Sequence, residues 1–225
     1  MDLLAWSNLE TSPIIIGVDE AGRGCLCGPV FAGAVSFKNK SKFKSVYKDS
    51  KLLTAEKREY FFEEILKSHF VGIGFATHVE VDRVNILQAT FLAMQRAVLN
   101  LENILNQNES SLNNNTSDHQ NLSRHILVDG NQRIPNLKNF DQTTVIKGDR
   151  LIPEISAASI VAKVSRDRYV DQLDLKYPEY EFSKHKGYGT ETHRNKIKEL
   201  GPCPEHRITF KGVREYLQVG QRLTP

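Results

Sequence analysis

The run Ile14-Ile-Ile-Gly-Val-Asp19-Glu20 constrains this chain more than any other feature. Its apolar, β-branched residues read as a buried strand, yet it ends in two adjacent acids followed by Ala21-Gly22-Arg23-Gly24. A second apolar run, PVFAGAVSF at 29–37, reads as another strand, with its proline at the start where a missing N–H does least harm. Two strands this close predict a hairpin or meander. Adjacent side chains on a regular strand face opposite ways. Asp19 and Glu20 can therefore share one site only if the strand stops there, and the glycine-rich turn supplies that stop.

The rest of the chain alternates strands and helices. Thr54 is placed to cap a helix reaching residue 67, with Glu56 in its first turn. Residues 71–76 read as a third strand. Val84, Leu87, Phe91, Met94, Val98, Leu101 and Leu105 then recur at spacings of 3 and 4, the core-facing stripe of a long helix. Residues 106–123 are dominated by Asn and Ser and read as a mobile loop. Residues 125–129 form a short strand ending in Asp129-Gly130, and 143–146 form another, followed by Lys147-Gly148-Asp149. Pro153 suits the first turn of a helix over 153–175, whose Ala157, Ala158, Ser159 and Ala162 permit close packing on a sheet. Residues 187–200 and 210–217 read as turn-plus-helix segments. The pattern is that of an α/β domain, divided here into a body at 1–182 and a basic helical region at 183–225.

Composition narrows the function classes. With 40% hydrophobic and 25% charged residues in 225, global disorder is excluded. No stretch approaches the ~20 apolar residues of a membrane span, and MDLLAWSNLETSP lacks the basic-then-apolar order of a secretory signal. Cys25, Cys27 and Cys203 are an odd set that suits a reducing cytosol, so a cytoplasmic location and no membrane partner are expected. Triplets such as Asn108-Glu-Ser110 are accordingly not read as glycan acceptors. The net charge of +3 is modest. However, Lys184, Lys186, Arg194, Lys196, Lys198, Arg207, Lys211 and Arg214 stand against only Glu191, Glu199 and Glu205. A basic C-terminal part beside a slightly acidic body fits a polyanion binder, and equally a solvated, lysine-rich helix face.

Three strand ends carry acids: Asp19-Glu20, Asp129 and Asp149, each with a glycine nearby (Gly22, Gly130, Gly148). Sites on helix-flanked sheets gather at strand ends, so these carboxylates are expected to converge. Oxygen-only ligands select Mg²⁺ or Mn²⁺ over Zn²⁺. Gly22-Arg23-Gly24 permits close backbone approach to a ligand and adds a fork of donors suited to phosphate. The spacing Gly22-x-Gly24-x-x-x-Gly28 faintly suggests a dinucleotide fingerprint, but Pro29 and a strand follow where a phosphate-capping helix should begin. Lys184-His-Lys-Gly-Tyr-Gly-Thr190 interleaves cations, glycines and a ring that can stack on a sugar or base. Cys25-x-Cys27 has no zinc-knuckle spacing and reads as packing, as does Trp6.

These segments together resemble the ribonuclease HII family over about 14–217. The resemblance rests on Gly17-Val-Asp-Glu-Ala-Gly-Arg-Gly24, Gly28-Pro-Val30, Asp49-Ser-Lys51, Val128-Asp-Gly130, Lys147-Gly-Asp149, Glu154-Ile-Ser-Ala-Ala-Ser-Ile-Val-Ala-Lys-Val164, Arg166-Asp167, Lys186-Gly-Tyr-Gly-Thr190 and Gly201-Pro-x-Pro204 with His206-Arg207. The short segment before Asp19 leaves no room for the extra N-terminal domain of the sister family, ribonuclease HIII. The resemblance implies an RNase H-like fold, a mixed central sheet flanked by helices with a small C-terminal helical extension. It implies hydrolysis of RNA within RNA–DNA hybrids and 5′ to single ribonucleotides embedded in duplex DNA, giving 5′-phosphate and 3′-hydroxyl ends.

By the same resemblance Asp19, Glu20, Asp129 and Asp149 are the catalytic acids, holding two Mg²⁺ or Mn²⁺ ions. Gly22, Arg23 and Gly24 sense the ribose 2′-hydroxyl and its phosphate, and Tyr188 stacks on the adjoining deoxyribose. Lys51, Lys186 and Thr190 are further substrate contacts. A monomer is expected, and residues 218–225 lack the paired aromatics of a sliding-clamp peptide. Where the family has Pro and Ala, this chain has Cys25 and Cys27, which predicts altered loop stiffness and sensitivity to oxidation. Two rival readings remain: a DNA nuclease or resolvase of the same fold, and a non-catalytic nucleic-acid binder.

Overall fold

A computed structural model describes residues 14–38, 53–113 and 123–217. The expectations for Trp6, Lys51, residues 114–122 of the Asn-rich stretch and 218–225 lie outside the described residues. Five strands form one mixed sheet in the order β3-β2-β1-β4-β5: β1 (Ile14–Ala21), β2 (Val30–Phe37), β3 (His69–Ala76), β4 (Arg124–Asp129) and β5 (Asp141–Val145). β1, β2 and β3 make the expected antiparallel meander, while β1, β4 and β5 run parallel. The central position of β1 explains its uninterrupted apolar run, since a strand covered on both faces needs no alternation.

β1 does not stop at its acids. Asp19, Glu20 and Ala21 still pair with Gly33, Ala32 and Phe31 of β2. The parallel ladder with β4, by contrast, ends at Val18 and Val128. Beyond Val18 one flank of β1 is therefore open, and it is this loss of a neighbour, not the end of the strand, that exposes both acids to one cavity.

Helices cover both faces: α1 (Ala55–Ser68), α2 (His78–Asn113), α3 (Gly148–Leu151), α4 (Pro153–Lys176), α5 (Phe182–His185) and α6 (Glu191–Leu200). Thr54 caps α1 as expected, its Oγ1 accepting from Lys57 N at 3.3 Å. α4 lies so close to β1 and β2 that a Cβ on Gly17 would sit 2.2 Å from the Glu154 carbonyl carbon. On the opposite face α2 presses on β3, where a Cβ on Gly74 would sit 2.3 Å from Ala93 O. The small residues of α4 and the glycines of the strands are two halves of one close approach.

α2 is two helices in sequence. Thr77 and Glu80 form a capping box, with Glu80 N donating to Thr77 Oγ1 at 3.2 Å and Thr77 N to Glu80 Oε2 at 2.9 Å. Asn85, at φ 68°, interrupts the helix, and its Oδ1 accepts from Leu87 N and Gln88 N at 3.0 and 3.1 Å, starting the longer segment. The predicted stripe is buried from Phe91 through Leu105.

The expectation of a loop beginning at residue 106 is wrong for its first part, because α2 continues to Asn113. Ser110 and Ser111 donate back to the carbonyls of Asn106 and Gln107 at 2.8 Å, so their hydroxyls do not compete with the helix for N–H groups. Glu109 is an anchor: with Glu102 it brackets the buried Arg124 at 2.9 and 3.2 Å. The expected helix at 210–217 is instead a series of turns ending in a single 3₁₀ turn, Arg214–Tyr216.

β3 is an edge strand, and two side chains from α2 occupy its outward carbonyls. Arg96 Nη1 donates to Phe75 O and Asn100 Nδ2 to Ile73 O, both at 2.7 Å. Among the described residues no helix is long and apolar enough to cross a membrane.

Candidate active site

A cavity of about 430 Å³ opens where β1 loses its parallel neighbour. Asp19, Glu20, Gly22, Arg23, Gly24, Asp129 and Tyr188 line it, which brings together seven of the eleven residues singled out from sequence. Arg58, Ser159 and Lys163 line it too and were missed. Ser159 and Lys163 stand four apart on α4, one face of a helix, and that spacing was the available signal. Arg58 comes from α1, and nothing local marks it.

Asp19 is buried and Glu20 partly so. Each carboxylate also serves the chain. Asp19 Oδ1 accepts from Glu20 N at 2.7 Å, and Ser159 bonds the same carboxyl. Glu20 Oε1 pairs with Arg23 Nη1 at 3.2 Å. Asp129 Oδ1 accepts from Gly148 N at 2.7 Å. Burial, and then repulsion from Glu20 and Asp129, hold Asp19 well above the ordinary carboxylate range. Burial also raises Glu20, against the pull of Arg23.

Asp149 requires a correction. It does not end a strand. Lys147, at φ 58°, turns the chain after β5, and Asp149 is the second residue of the one-turn helix α3. It is buried next to the Gly148–Asp129 bond and does not line the cavity.

Among the described residues no three His, Cys, Asp or Glu side chains already stand in metal-holding geometry. The donor set nonetheless fits hard divalent cations. Among the described residues three carboxylates line the cavity and no thiol or imidazole does, and Asp19 and Glu20, pushed toward protonation first by burial and then by neighbouring carboxylates, are groups whose charge a cation would offset.

The loop after β1 is held from a distance by two fully buried arginines. Arg207 donates through Nη1 to Arg23 O at 3.0 Å and Cys25 O at 2.8 Å, and through Nε to Gly28 O at 2.9 Å. Burial pushes its guanidinium down to about 10. Arg207 therefore does not face phosphate, contrary to its place in the basic C-terminal set. Arg166 Nη1 donates to Lys186 O at 2.8 Å. A Cβ on Gly22, at φ 97°, would lie 2.3 Å from Arg166 Nε, so only glycine fits there. At Gly24 a Cβ would meet no atom of the described residues within 4 Å, which leaves room for a ligand to approach the backbone there.

Tyr188 is 42% exposed, and its main chain bridges to Cys25 of the same loop. Lys163 Nζ and Arg166 Cζ lie 5.5 and 5.7 Å from its ring centre. Lys186 and Thr190 are not part of the lining. Lys186 pairs with Asp171 and gives its carbonyl to Arg166. Thr190 caps α6, its Oγ1 accepting from His193 N at 3.3 Å. Both sit in the expected motif but serve the chain itself.

Cys25 and Cys27 are wholly buried, and burial pushes both thiols up. They pack, as expected. That burial argues against the expected sensitivity to oxidation, because a buried thiol with little thiolate is a poor nucleophile.

The family model described as Ribonuclease HII matches residues 16–213. A Ribonuclease HII from Caldicellulosiruptor bescii is 47% identical over 197 residues, covering 87% of this chain and 85% of its own. One from a Polaromonas species is 44% identical over 216 residues, covering 96% of each chain. The crystal structure of the ribonuclease H2 from Pyrococcus horikoshii superposes with a TM-score of 0.64 at 26% identity, covering 90% of this chain and 96% of that one. The mixed five-stranded sheet with helices on both faces is thus the RNase H-like fold. With the family model spanning nearly the whole described chain and relatives this similar end to end, the chain belongs to the ribonuclease HII family and is a ribonuclease H-type endonuclease.

Proposed function

We propose that the enzyme hydrolyses RNA in RNA–DNA hybrids and the bond 5′ to single ribonucleotides in duplex DNA, leaving 5′-phosphate and 3′-hydroxyl ends. One observation carries this reading: Asp19, Glu20 and Asp129, the Gly22-Arg23-Gly24 backbone and the exposed Tyr188 ring line a single cavity. A cleavage centre and a sugar-reading surface are therefore adjacent.

Asp19, Glu20, Asp129 and Asp149 would hold two divalent cations, Mg²⁺ or Mn²⁺. When bound, these supply an activated water and stabilise the leaving 3′ oxygen in an in-line displacement. The chain's own groups do the positioning. The backbone at Gly22 and Gly24 reaches the ribose 2′-hydroxyl, which both donates and accepts hydrogen bonds and distinguishes RNA from DNA. Arg23, 50% exposed at its side chain, presents guanidinium donors to the adjoining phosphate. Tyr188 offers its face to the next sugar, and Lys163 and Arg58 add positive charge to the wall. Duplex phosphates meet the exposed C-terminal lysines and arginines, so affinity falls with salt.

The test is cleavage of a duplex bearing one ribonucleotide, with both new ends mapped. The expected result is a nick 5′ to the ribonucleotide while an all-DNA duplex stays intact. Equal cutting of both duplexes would overturn the reading in favour of a DNA nuclease of the same fold.

A further inference from the structure

Three histidines lie together in the C-terminal part, outside the cavity and unused by the chemistry above. His193 and His206 are 0% and 1% exposed, and His185 stacks on His193 with ring centres 4.2 Å apart. Their hydrogen bonds form one path. His193 Nδ1 lies 2.9 Å from the Tyr188 carbonyl oxygen. His193 Nε2 lies 3.0 Å from His206 Nε2. His206 Nδ1 accepts from Cys203 N at 2.9 Å.

One arrangement of protons satisfies every amide and carbonyl on this path with both rings neutral. A carbonyl can only accept, so His193 carries its proton on Nδ1 and leaves Nε2 bare. The Cys203 amide can only donate, so His206 Nδ1 is bare and its proton sits on Nε2. The His206 Nε2–H then points at the bare His193 Nε2. The Cys203 carbonyl, 3.3 Å from the same Nδ1, already accepts from the His206 backbone N at 3.0 Å, a shorter bond. The Cys203 thiol, 3.1 Å from Nδ1, stays protonated because burial raises it to about 11. Adding a proton to either ring would set two donors face to face. Burial among Phe182, Tyr180 and the other rings holds His193 down to about 4 and His206 to about 3, so both stay neutral under ordinary conditions.

We infer that the His206–His193 pair is a positioning relay for Tyr188: a proton-ordered path that runs from the Cys203 amide to the Tyr188 carbonyl and fixes the plane from which the ring meets the sugar. The inference rests on the reading of Tyr188 as a substrate contact. Tyr188 is otherwise held by its main-chain bonds to His185 O at 2.9 Å and from Thr190 N at 2.8 Å, and by its bridge to Cys25. Those bonds set the turn. The relay adds a rigid side-chain donor to the same carbonyl, and joins the 203–206 turn to the substrate-reading loop.

The experiment has two arms on the full chain. Long-range ¹H–¹⁵N spectra at neutral pH read the tautomers directly. His193 is expected as the Nδ1–H form and His206 as Nε2–H; the opposite tautomer or a charged ring at either would overturn the relay. The second arm measures cleavage of the single-ribonucleotide duplex. His193→Leu should lower kcat/KM by up to about a hundredfold, the scale of a small misplacement of a positioned group. His193→Asn, whose amide can still donate to the Tyr188 carbonyl, should recover most of it. In a Tyr188→Ala background His193→Leu should cost little more, because a group acting through Tyr188 has nothing left to position. Additive losses would reduce the pair to a structural role and sink the proposal. Wild-type cleavage by Tyr188→Ala alone would remove the substrate role of Tyr188, and the proposal with it. Impaired Tyr188→Ala beside unimpaired His193→Leu would remove the relay and leave the substrate role standing. Should His193→Leu not fold, the tautomer spectra and His193→Asn still decide.

Discussion

The sheet with α2 and α4 is held together differently from the loop-and-C-terminal region beside it. In the sheet, backbones approach so closely that glycine is required on both faces: Gly17 and Gly33 beneath α4, Gly72 and Gly74 beneath α2. The contacts are apolar, dense and non-directional. Around the loop from Gly22 to Gly28 the anchors are single polar side chains bonded to distant backbone: Arg207 and Arg166, and Asp82, which accepts from Ile208 N and Thr209 N at 2.9 Å. The first arrangement gives a rigid platform for the acids. The second specifies direction at a few atoms, which is what the proposed contact with a sugar would demand.

The largest effect should come from the platform's chemistry. Asp19→Asn is expected to lower cleavage by roughly 10²–10³ or more, the scale of removing one pre-organised charge-stabilising group. It should leave thermal stability equal or higher, since the variant loses a buried, mutually repelled carboxylate. Wild-type-like turnover in a gel assay would refute the role of Asp19.

Next come two variants that set the regions against each other. Gly33→Ala would place a Cβ 2.4 Å from Ala158 O, and should cost about 3 kcal/mol in a urea titration. Its remaining folded fraction should still prefer ribonucleotide substrates. Arg207→Met removes charged bonds to three carbonyls and should also cost on the order of 3 kcal/mol. Here, however, discrimination between ribose and deoxyribose should fall as well. Equal discrimination in both variants would erase the distinction between platform and pins.

A smaller effect concerns pH. His193 and His206 resist protonation when folded but take a proton near 6.5 when unfolded. Unfolding therefore binds protons between about 6.5 and 4, and the stability present above that window is lost as pH falls through it. From pH 7 to 5 the loss should be about 2 kcal/mol per buried ring by urea titration. Asp19 and Glu20 act in the opposite sense, because burial and then neighbouring carboxylates favour their protonated forms in the fold, so Asp19→Asn is the cleaner background. A pH-independent midpoint in that background would contradict the neutral assignment. The smallest effect is at the thiols: Cys25, Cys27 and Cys203 are buried and should react with a thiol reagent only as fast as the region opens.

Features governed by local pattern were legible in the sequence. The strand runs, the Thr54 cap, the Pro153 start and the stripe from Phe91 to Leu105 all follow from neighbours in the chain. Three of the four acids were correctly brought to one cavity. What composition misjudged was residues 106–113: Asn and Ser suggested a loop, but Leu105 and the Glu109–Arg124 pair hold the helix in place through tertiary contacts. Asp149 was misplaced because a left-handed Lys147 leaves no sequence signature. Arg207 counted as surface charge, and its burial depends on carbonyls some 180 residues away, such as Cys25 O at a separation of 182. Lys186 and Thr190 belong to the right segment, yet only the folded geometry reveals that their bonds go to Asp171 and the start of α6.

The Arg96 and Asn100 bonds at the margin of the sheet bear on how copies of this chain behave at high concentration. A foreign strand adding beside β3 would compete for the carbonyls of Ile73 and Phe75, to which Asn100 and Arg96 already donate. These two side chains therefore oppose polymeric growth from that margin, and replacing both with alanine should make it a better template for aggregation.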